Sequence, residues 1–386
     1  MKIRIAILGS TGSIGKSTLS IIKNNRSKFT VELLTAKNNY KKLIQQAKTF
    51  KAKNILIANE EHYKKVRKHL NKSRTNVFFG NTPIDSIISK KLDYTMCAIV
   101  GVEGLKPTID AIKCSKKVGI ANKESIVCGW NLLSKYTKRY KTKILPVDSE
   151  HFSIMELSKQ LDNRDVEEII LTASGGPFLK TPLKKLKYIN PSQAIKHPNW
   201  KMGKKISIDS ATLMNKVFEL IEASKLFNFD IEKYRILIHP QSYVHAIIRY
   251  KNGLIKMLLH NTDMKIPISN TIFGSTTKVK NIKKINSLTL DQLRFFEVNP
   301  ARYPSINLIK KCVNSGQSGP VILNASNEIL VSLFLKKKIN FTDIIDILHK
   351  IFRHKDFKKY AKKKINSLRD IYKVDRWARE ITHQFI

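Results

Sequence analysis

Acidic residues are scarce in this 386-residue chain: 30 Asp and Glu stand against 71 Lys and Arg, a formal net charge of +41. Such a surplus ordinarily points to nucleic acid or an anionic membrane surface. Here the lysines are spread through every block of the chain beside many asparagines and isoleucines, and no basic-aromatic motif of the RNA-binding kind is visible. The charge therefore reads as a composition bias of solvated faces that would attract anionic substrates, and no nucleic-acid partner is expected. Cysteine is rare as well. Cys97, Cys114, Cys128 and Cys312 show neither CxxC pairing nor metal-ligand spacing, and a reducing cytoplasm follows. No apolar run approaches the roughly 20 residues of a membrane span, and the KIRIAIL after Met1 lacks the apolar region of a signal peptide. A soluble, intracellular protein without a membrane partner is expected. No internal repeat is evident. The length and a hydrophobic content of 42% allow two or three domains with full cores.

The first feature present is a βα unit. The apolar KIRIAIL runs into GSTGSIGKS and then a helical pattern from Ser17 to Lys23. Gly9, Gly12 and Gly15 let the backbone turn sharply and approach a pyrophosphate at a helix N-terminus, where unpaired N–H groups and the dipole favour an anion. The spacing is GxxGxxG, not GxGxxG. A Walker loop is the rival reading, because Gly15, Lys16 and Ser17 give the GKS ending; Ser10 stands where its first glycine belongs. The second strand, FTVELLTA, ends at Ala36, Lys37 and Asn38 without the acid that binds the ribose in NAD enzymes. Lys37 and Asn38 offer donors for a 2′-phosphate, which favours NADP, although Lys37 can equally be one more surface lysine.

Further alternation of apolar runs and helical patterns follows through KNILIA, DYTMCAIVG, KKVGIANKES and TKILPVDSE, the pattern of a doubly wound α/β sheet. Ligands of such sheets sit beyond the carboxyl ends of the strands, where Asn122, Lys123, Glu124, Asp148, Ser149 and Glu150 fall. Asp148 and Glu150, spaced i, i+2, point to the same side of an extended segment and could share one cation; Asp148 could equally cap a helix beginning near His151. EEIILTASGGPF reads as a strand entering a small-residue loop, where backbone N–H groups and Ser174 could form an anion nest or simply a tight turn.

Residues 197–219, HPNWKMGKKISIDSATLMNKVFE, gather groups for two ligands. Asp209 and Ser210 look like an N-cap for a following helix with apolar residues at helical spacing. On it Asn215 and Glu219 are i, i+4 neighbours, and Lys216 and Glu219 are i, i+3 neighbours. An amide, an ammonium and a carboxylate on one face suit a phosphate and a divalent cation; the plain alternative is a solvated face with a surface salt bridge.

GSTGSIG, ANKES, VDSEH, LTASGGPF, HPNWKMG with KISIDSATLMNK, and IHPQSYVHAI occur in that order and together resemble the 1-deoxy-D-xylulose 5-phosphate reductoisomerase family over nearly the whole chain. The resemblance implies an NADPH-dependent isomerisation and reduction of a phosphorylated sugar, 1-deoxy-D-xylulose 5-phosphate, to 2-C-methyl-D-erythritol 4-phosphate. It implies Mg²⁺ or Mn²⁺ (with Co²⁺ as a further occupant), a homodimer, and inhibition by phosphonohydroxamates. Carried over, cofactor contacts fall on Thr11, Gly12, Ser13, Ile14, Ala36, Lys37, Asn38, Asn122, Glu124 and Gly203. Metal ligands fall on Asp148, Glu150 and Glu219; substrate contacts fall on Lys123, Ser149, Glu150, Ser174, His197, Ser210, Asn215 and Lys216. The segment around Trp200 and Met202 reads as a lid, a buried core Trp being the alternative. Ala36, Val217, Phe218 and the TDMKIPI segment depart from the family pattern at positions that touch packing more than chemistry. The expected architecture is a Rossmann-like dinucleotide domain over 1–149, a central α+β catalytic and dimerisation domain over 150–273, a linker over 274–299, and a C-terminal helical domain over 300–386.

Overall fold

The computed structural model describes residues 1–159, 165–200, 202–274, 279–280, 282 and 285–386. It divides into two compact units. Residues 1–125, 131–152 and 263–282 form one, and residues 126–130, 153–262 and 283–386 form the other.

The first unit is built on seven parallel strands: β1 (Ile3–Leu8), β2 (Phe29–Ala36), β3 (Asn54–Ile57), β4 (Asn76–Phe79), β5 (Leu92–Cys97), β6 (Ser115–Ile120) and β7 (Lys143–Pro146). Their order is β4-β3-β2-β1-β5-β6-β7. The central strands lie under cover on both faces, so they read as continuous apolar runs, and Ile5, Ala6, Ile7 and Leu8 are wholly buried. Glu32, inside β2, is buried in a structural pairing with Arg4 at 2.9 Å and Lys53 at 3.0 Å. Burial works against its charge, but the two cations outweigh it and hold the carboxyl below its ordinary range. The strand order reverses between β1 and β5, the crevice where dinucleotide sheets take their ligand. The helix after β1 spans Ser13–Asn24, four residues earlier than the apolar pattern alone indicates, with Gly12 at its N-cap. Ser13 and Gly15 in its first turn are poor helix formers and conceal a helical backbone.

The second unit carries a mixed sheet of β8 (Val166–Ala173), β9 (Tyr234–Ile238), β10 (Val244–Tyr250), β11 (Ile255–Leu259) and β12 (Phe296–Glu297). The order is β11-β10-β8-β9-β12, with β8 and β9 parallel and the other neighbours antiparallel. Helices Gly319–Leu335, Asp343–Ile351 and Leu368–Gln384 follow in the C-terminal part, the last opened by a reciprocal cap between Ser367 and Asp370. In the stretch read as a linker, residues 275–278, 281 and 283–284 lie outside the described residues; the remainder includes a short helix, Ser287–Leu290, and β12.

One local expectation is corrected. Asp209 and Ser210 do not cap the helix that carries Asn215; they close an earlier one, Lys204–Ala211, with Gly203 at its N-cap. The break falls at Thr212 and Leu213, where Leu213 takes a left-handed φ of 61°, and the next helix is Met214–Phe227. Asp-Ser before an apolar run imitates a cap, but here the run is interrupted three residues later.

Candidate active site

The turn after β1 is pinned from several sides. Gly9 has φ +84°, and a Cβ there would meet the Ala98 carbonyl oxygen at 2.7 Å, so only glycine lets the loops after β1 and β5 approach. Gly9 N–H donates to Thr35 Oγ1 at 2.9 Å, Ser10 N–H to Thr35 O at 2.9 Å, and Gln46 Nε2 to Ser10 O at 2.9 Å. These supports from Thr35 and Gln46 carry no motif of their own. Thr11 and Gly12 consequently sit just before the helix and Ser13 and Ile14 in its first turn, where the N–H groups have no intrahelical acceptor; that of Gly12 closes the turn onto Gly9 O at 3.1 Å.

Ala36, Lys37 and Asn38 lie at the end of β2 as expected. Lys37 Nζ holds both oxygens of Glu103, at 2.7 and 3.0 Å, a partner the sequence reading did not single out. Asn122 caps the helix Lys123–Tyr140 by accepting from Ser125 N–H, and its amide donates to the Gly101 and Ile99 carbonyls. It therefore ties the loop after β5 to the loop after β6.

Asp148 and Glu150 are not on an extended segment: a helix begins at Ser149. Glu150 N–H donates to Asp148 Oδ1 at 3.3 Å, so Asp148 caps that helix while the Glu150 carboxylate lies in its first turn, where the dipole favours negative charge. Lys123 Nζ lies 3.3 Å from Asp148 Oδ2, and His151 Nδ1 lies 3.2 Å from Asp148 Oδ1. The Ser149 hydroxyl donates to Glu150 at 2.5 Å.

In the second unit the loop after β8 brings Ser174 to His197. Their Oγ and Nε2 are 2.9 Å apart, and Gly176 N–H donates to the same Oγ at 3.1 Å. His197 Nδ1 accepts from the backbone N–H groups of Asn199 (3.1 Å) and Trp200 (2.9 Å). Burial pushes the imidazole down to about 4, so it is neutral at pH 7. Gly176, at φ +67°, packs against the end of the helix Lys204–Ala211; a Cβ would meet Ala211 Cα and Ser210 O at 2.9 Å. Ser174 and Ser210 thereby come from two abutting backbone segments.

The helix Met214–Phe227 carries Asn215, Lys216 and Glu219. Asn215 donates to Glu219, and Lys216 pairs with it as well. Lys216 is 3% exposed and Glu219 1%, which removes the reading of a solvated face. Val217 and Phe218, where the chain departs from the family pattern, are buried. Trp200 is half-buried with its ring edge-to-face against His245, 6.1 Å between centroids. Lys201, within the segment read as a lid, lies outside the described residues; Met202 is half-buried, and Gly203 is exposed in the second unit, apart in sequence from the other cofactor candidates.

Three family profiles match the chain: 1-deoxy-D-xylulose 5-phosphate reductoisomerase over residues 5–129, its C-terminal domain over 144–227, and the DXP reductoisomerase C-terminal domain over 259–381. The reductoisomerase of Pelagibacter ubique (strain HTCC1062) is 46% identical over 96% of this chain and 96% of its own length. The solved Zymomonas mobilis reductoisomerase in complex with NADPH superposes with a TM-score of 0.91 at 37% identity, covering 100% of this chain and 99% of its own. Another solved reductoisomerase, in complex with NADPH, fosmidomycin and magnesium, gives 0.93 at 32% identity over 99% of this chain and 98% of its own. With the ordered motifs, both sheets and these matches in agreement, the chain belongs to the 1-deoxy-D-xylulose 5-phosphate reductoisomerase family.

Proposed function

We propose that this chain converts 1-deoxy-D-xylulose 5-phosphate to 2-C-methyl-D-erythritol 4-phosphate, using NADPH and a divalent cation, as its relatives imply. The observation that carries the reading is the helix Met214–Phe227, which sets Asn215 and Lys216 within one turn of Glu219 with the Lys216–Glu219 pair buried. Burying an ion pair costs about several kcal/mol per ion before attraction repays it, so a pair kept there is better explained by ligands than by stability. Asp148, Glu150 and Glu219 are the proposed cation ligands. Three carboxylates are a hard oxygen donor set that suits Mg²⁺ or Mn²⁺, with Co²⁺ also accommodated, and leaves positions for substrate oxygens. When bound, the cation polarises the substrate carbonyl and NADPH supplies a hydride.

The chain's own residues bind, orient and exclude water. Ser174, Ser210, Asn215 and Lys216 grip the phosphate, supplying binding energy away from the reacting carbons, and His197 contacts the substrate beside them. Lys123 offsets the charge of Asp148 and, with Ser149, orients the sugar hydroxyls. Thr11, Gly12, Ser13 and Ile14 hold the pyrophosphate of NADPH, Lys37 and Asn38 with Ala36 its adenosine ribose phosphate, and Asn122, Glu124 and Gly203 the remainder. Trp200 covers the bound substrate.

The three-domain division at 149, 273 and 299 is retained as part of this proposal, as are a cytoplasmic location and a homodimer. All four cysteines are free and buried, as a reducing compartment allows, and no described helix is long and apolar enough to cross a membrane. The sheet edge β11 supports the dimer: Ile255 and Met257 on this edge strand are 54% and 47% exposed, and Leu254 just before it 57%, an apolar edge that calls for cover.

The test is NADPH oxidation with 1-deoxy-D-xylulose 5-phosphate, with and without Mg²⁺ or Mn²⁺. Metal-dependent oxidation is expected, and Glu219→Gln should keep the fold and NADPH affinity while losing most activity. ATP binding through Lys16 in place of NADPH would restore the nucleotidase reading, and steeply salt-dependent binding to nucleic acid would restore the other alternative.

A further inference from the structure

Four side chains from the segment between residues 302 and 327 reach the backbone and one carboxylate immediately behind the proposed phosphate-binding groups. Tyr303, 3% exposed, donates its hydroxyl to Gly175 O at 2.8 Å, one residue beyond Ser174. Arg302 donates to Phe178 O at 2.8 Å in the same loop. Ser305, wholly buried, donates to Thr212 O at 2.7 Å, between Ser210 and Asn215. Asn327, also wholly buried, donates its amide to Asp209 Oδ1 at 2.8 Å, one residue before Ser210.

The supported places are the ones that local chain geometry leaves undetermined. The loop after β8 turns through two glycines of positive φ, Gly175 at 80° and Gly176 at 67°. The junction of the two helices passes through Leu213, a bulky residue at a left-handed φ that its neighbours alone would not keep. Asp209 is 1% exposed; its second oxygen pairs with Lys205 Nζ at 2.8 Å, and that ammonium also lies 4.9 Å over the Phe218 ring. The carboxylate is thus neutralised inside its own helix while Asn327 fixes its direction from outside. Because Gly176 abuts Ser210 and Ala211, a shift at any of these supports changes the spacing of Ser174, Ser210 and the Asn215–Lys216 turn together.

We infer that Tyr303, Ser305 and Asn327 are positioning residues for phosphate recognition, setting the spacing of the phosphate-binding groups without touching the substrate. This rests on the assignment of Ser174, Ser210, Asn215 and Lys216 to the phosphate. The experiment uses the full-length enzyme with its metal and measures KM for 1-deoxy-D-xylulose 5-phosphate, the competitive Ki of inorganic phosphate, KM for NADPH, kcat and Tm. In Tyr303→Phe and Ser305→Ala, both the substrate KM and the phosphate Ki should rise about three- to tenfold, the loss of one hydrogen bond's worth of alignment. The NADPH KM should stay within about twofold, because other residues hold the cofactor, while kcat falls by less than kcat/KM for the sugar phosphate does. Asn327→Ala should shift the same two constants further, and Tyr303→Phe, which removes a single oxygen, keeps the test open if the Asn327 variant does not fold. A lowered Tm with unchanged phosphate Ki in Tyr303→Phe and Ser305→Ala would make these residues a brace of the fold alone and overturn the inference. Ser210→Ala separates the two levels: if it too leaves the phosphate Ki unchanged, the assignment of the phosphate site fails and the inference goes with it.

Discussion

The imidazole of His197 donates from Nε2 to Ser174 Oγ across 2.9 Å, an assignment fixed by its other nitrogen, which accepts two backbone N–H groups. With Gly176 N–H also donating to the Ser174 oxygen, the serine hydroxyl proton is left to point at a ligand oxygen. A proton on Nδ1 would break two hydrogen bonds, which agrees with the lowered affinity of the ring for a proton. Its folded value of about 4 lies below the ordinary 6.5, so the unfolded chain takes up a proton between those values that the folded chain refuses. The contribution of His197 to stability is therefore complete above pH 6.5, declines as pH falls toward 4, and is lost below it. Denaturant unfolding at pH 7 and pH 5 should show a smaller drop for His197→Gln than for the native chain. In the free enzyme, the imidazole resonances of His197 should show no midpoint near 6.5.

Gly176 is a backbone contact point for the phosphate loop. Gly176→Ala adds a methyl 2.9 Å from Ser210 O and Ala211 Cα at a φ of +67° that alanine disfavours. The strain of such a position is about 1–3 kcal/mol, and it falls where Ser174 and Ser210 meet. A lower Tm together with a raised substrate KM is expected. A variant with native KM would show that the two serines do not share a ligand.

Lys37 offers a third test. Its ammonium is engaged by both Glu103 oxygens, and a ribose 2′-phosphate would have to displace that carboxylate or share the cation with it. Both side chains are about two-thirds exposed, so the pair itself contributes little. Glu103→Gln should lower the KM for NADPH and leave that for NADH unchanged, while Lys37→Ala should raise the NADPH KM. Equal use of NADH and NADPH by the native chain would remove any role for Lys37 in selection.

What was legible in the sequence is what local chemistry dictates. Gly9, Gly12 and Gly15 announce a tight turn before a helix, the continuous apolar runs announce strands covered on both faces, and the i, i+3 and i, i+4 spacing at Glu219 already named its two partners. The short-range signals also misled: Asp209 and Ser210 have the chemistry of a cap but sit at the far end of a helix. Tyr303 and Asn327 were invisible because their partners lie 128 and 118 residues away, at separations no pattern records. Glu103 was missed for the same reason, 66 residues from Lys37.

Trp200 tests the lid. Its backbone N–H is spent on His197 and its ring rests edge-on against His245, yet the side chain is only half-buried, unlike a tryptophan of the core. Truncating a core Trp costs about 3–5 kcal/mol, whereas a ring that completes its contacts on ligand binding leaves most of that cost to the bound state. Trp200→Ala should therefore weaken substrate and fosmidomycin binding while moving Tm little. Water then reaches the closed site, and kcat should fall as well. Tm and inhibitor affinity measured on one preparation decide the matter: a large fall in Tm with unaltered affinity would make Trp200 a structural anchor and end the lid assignment.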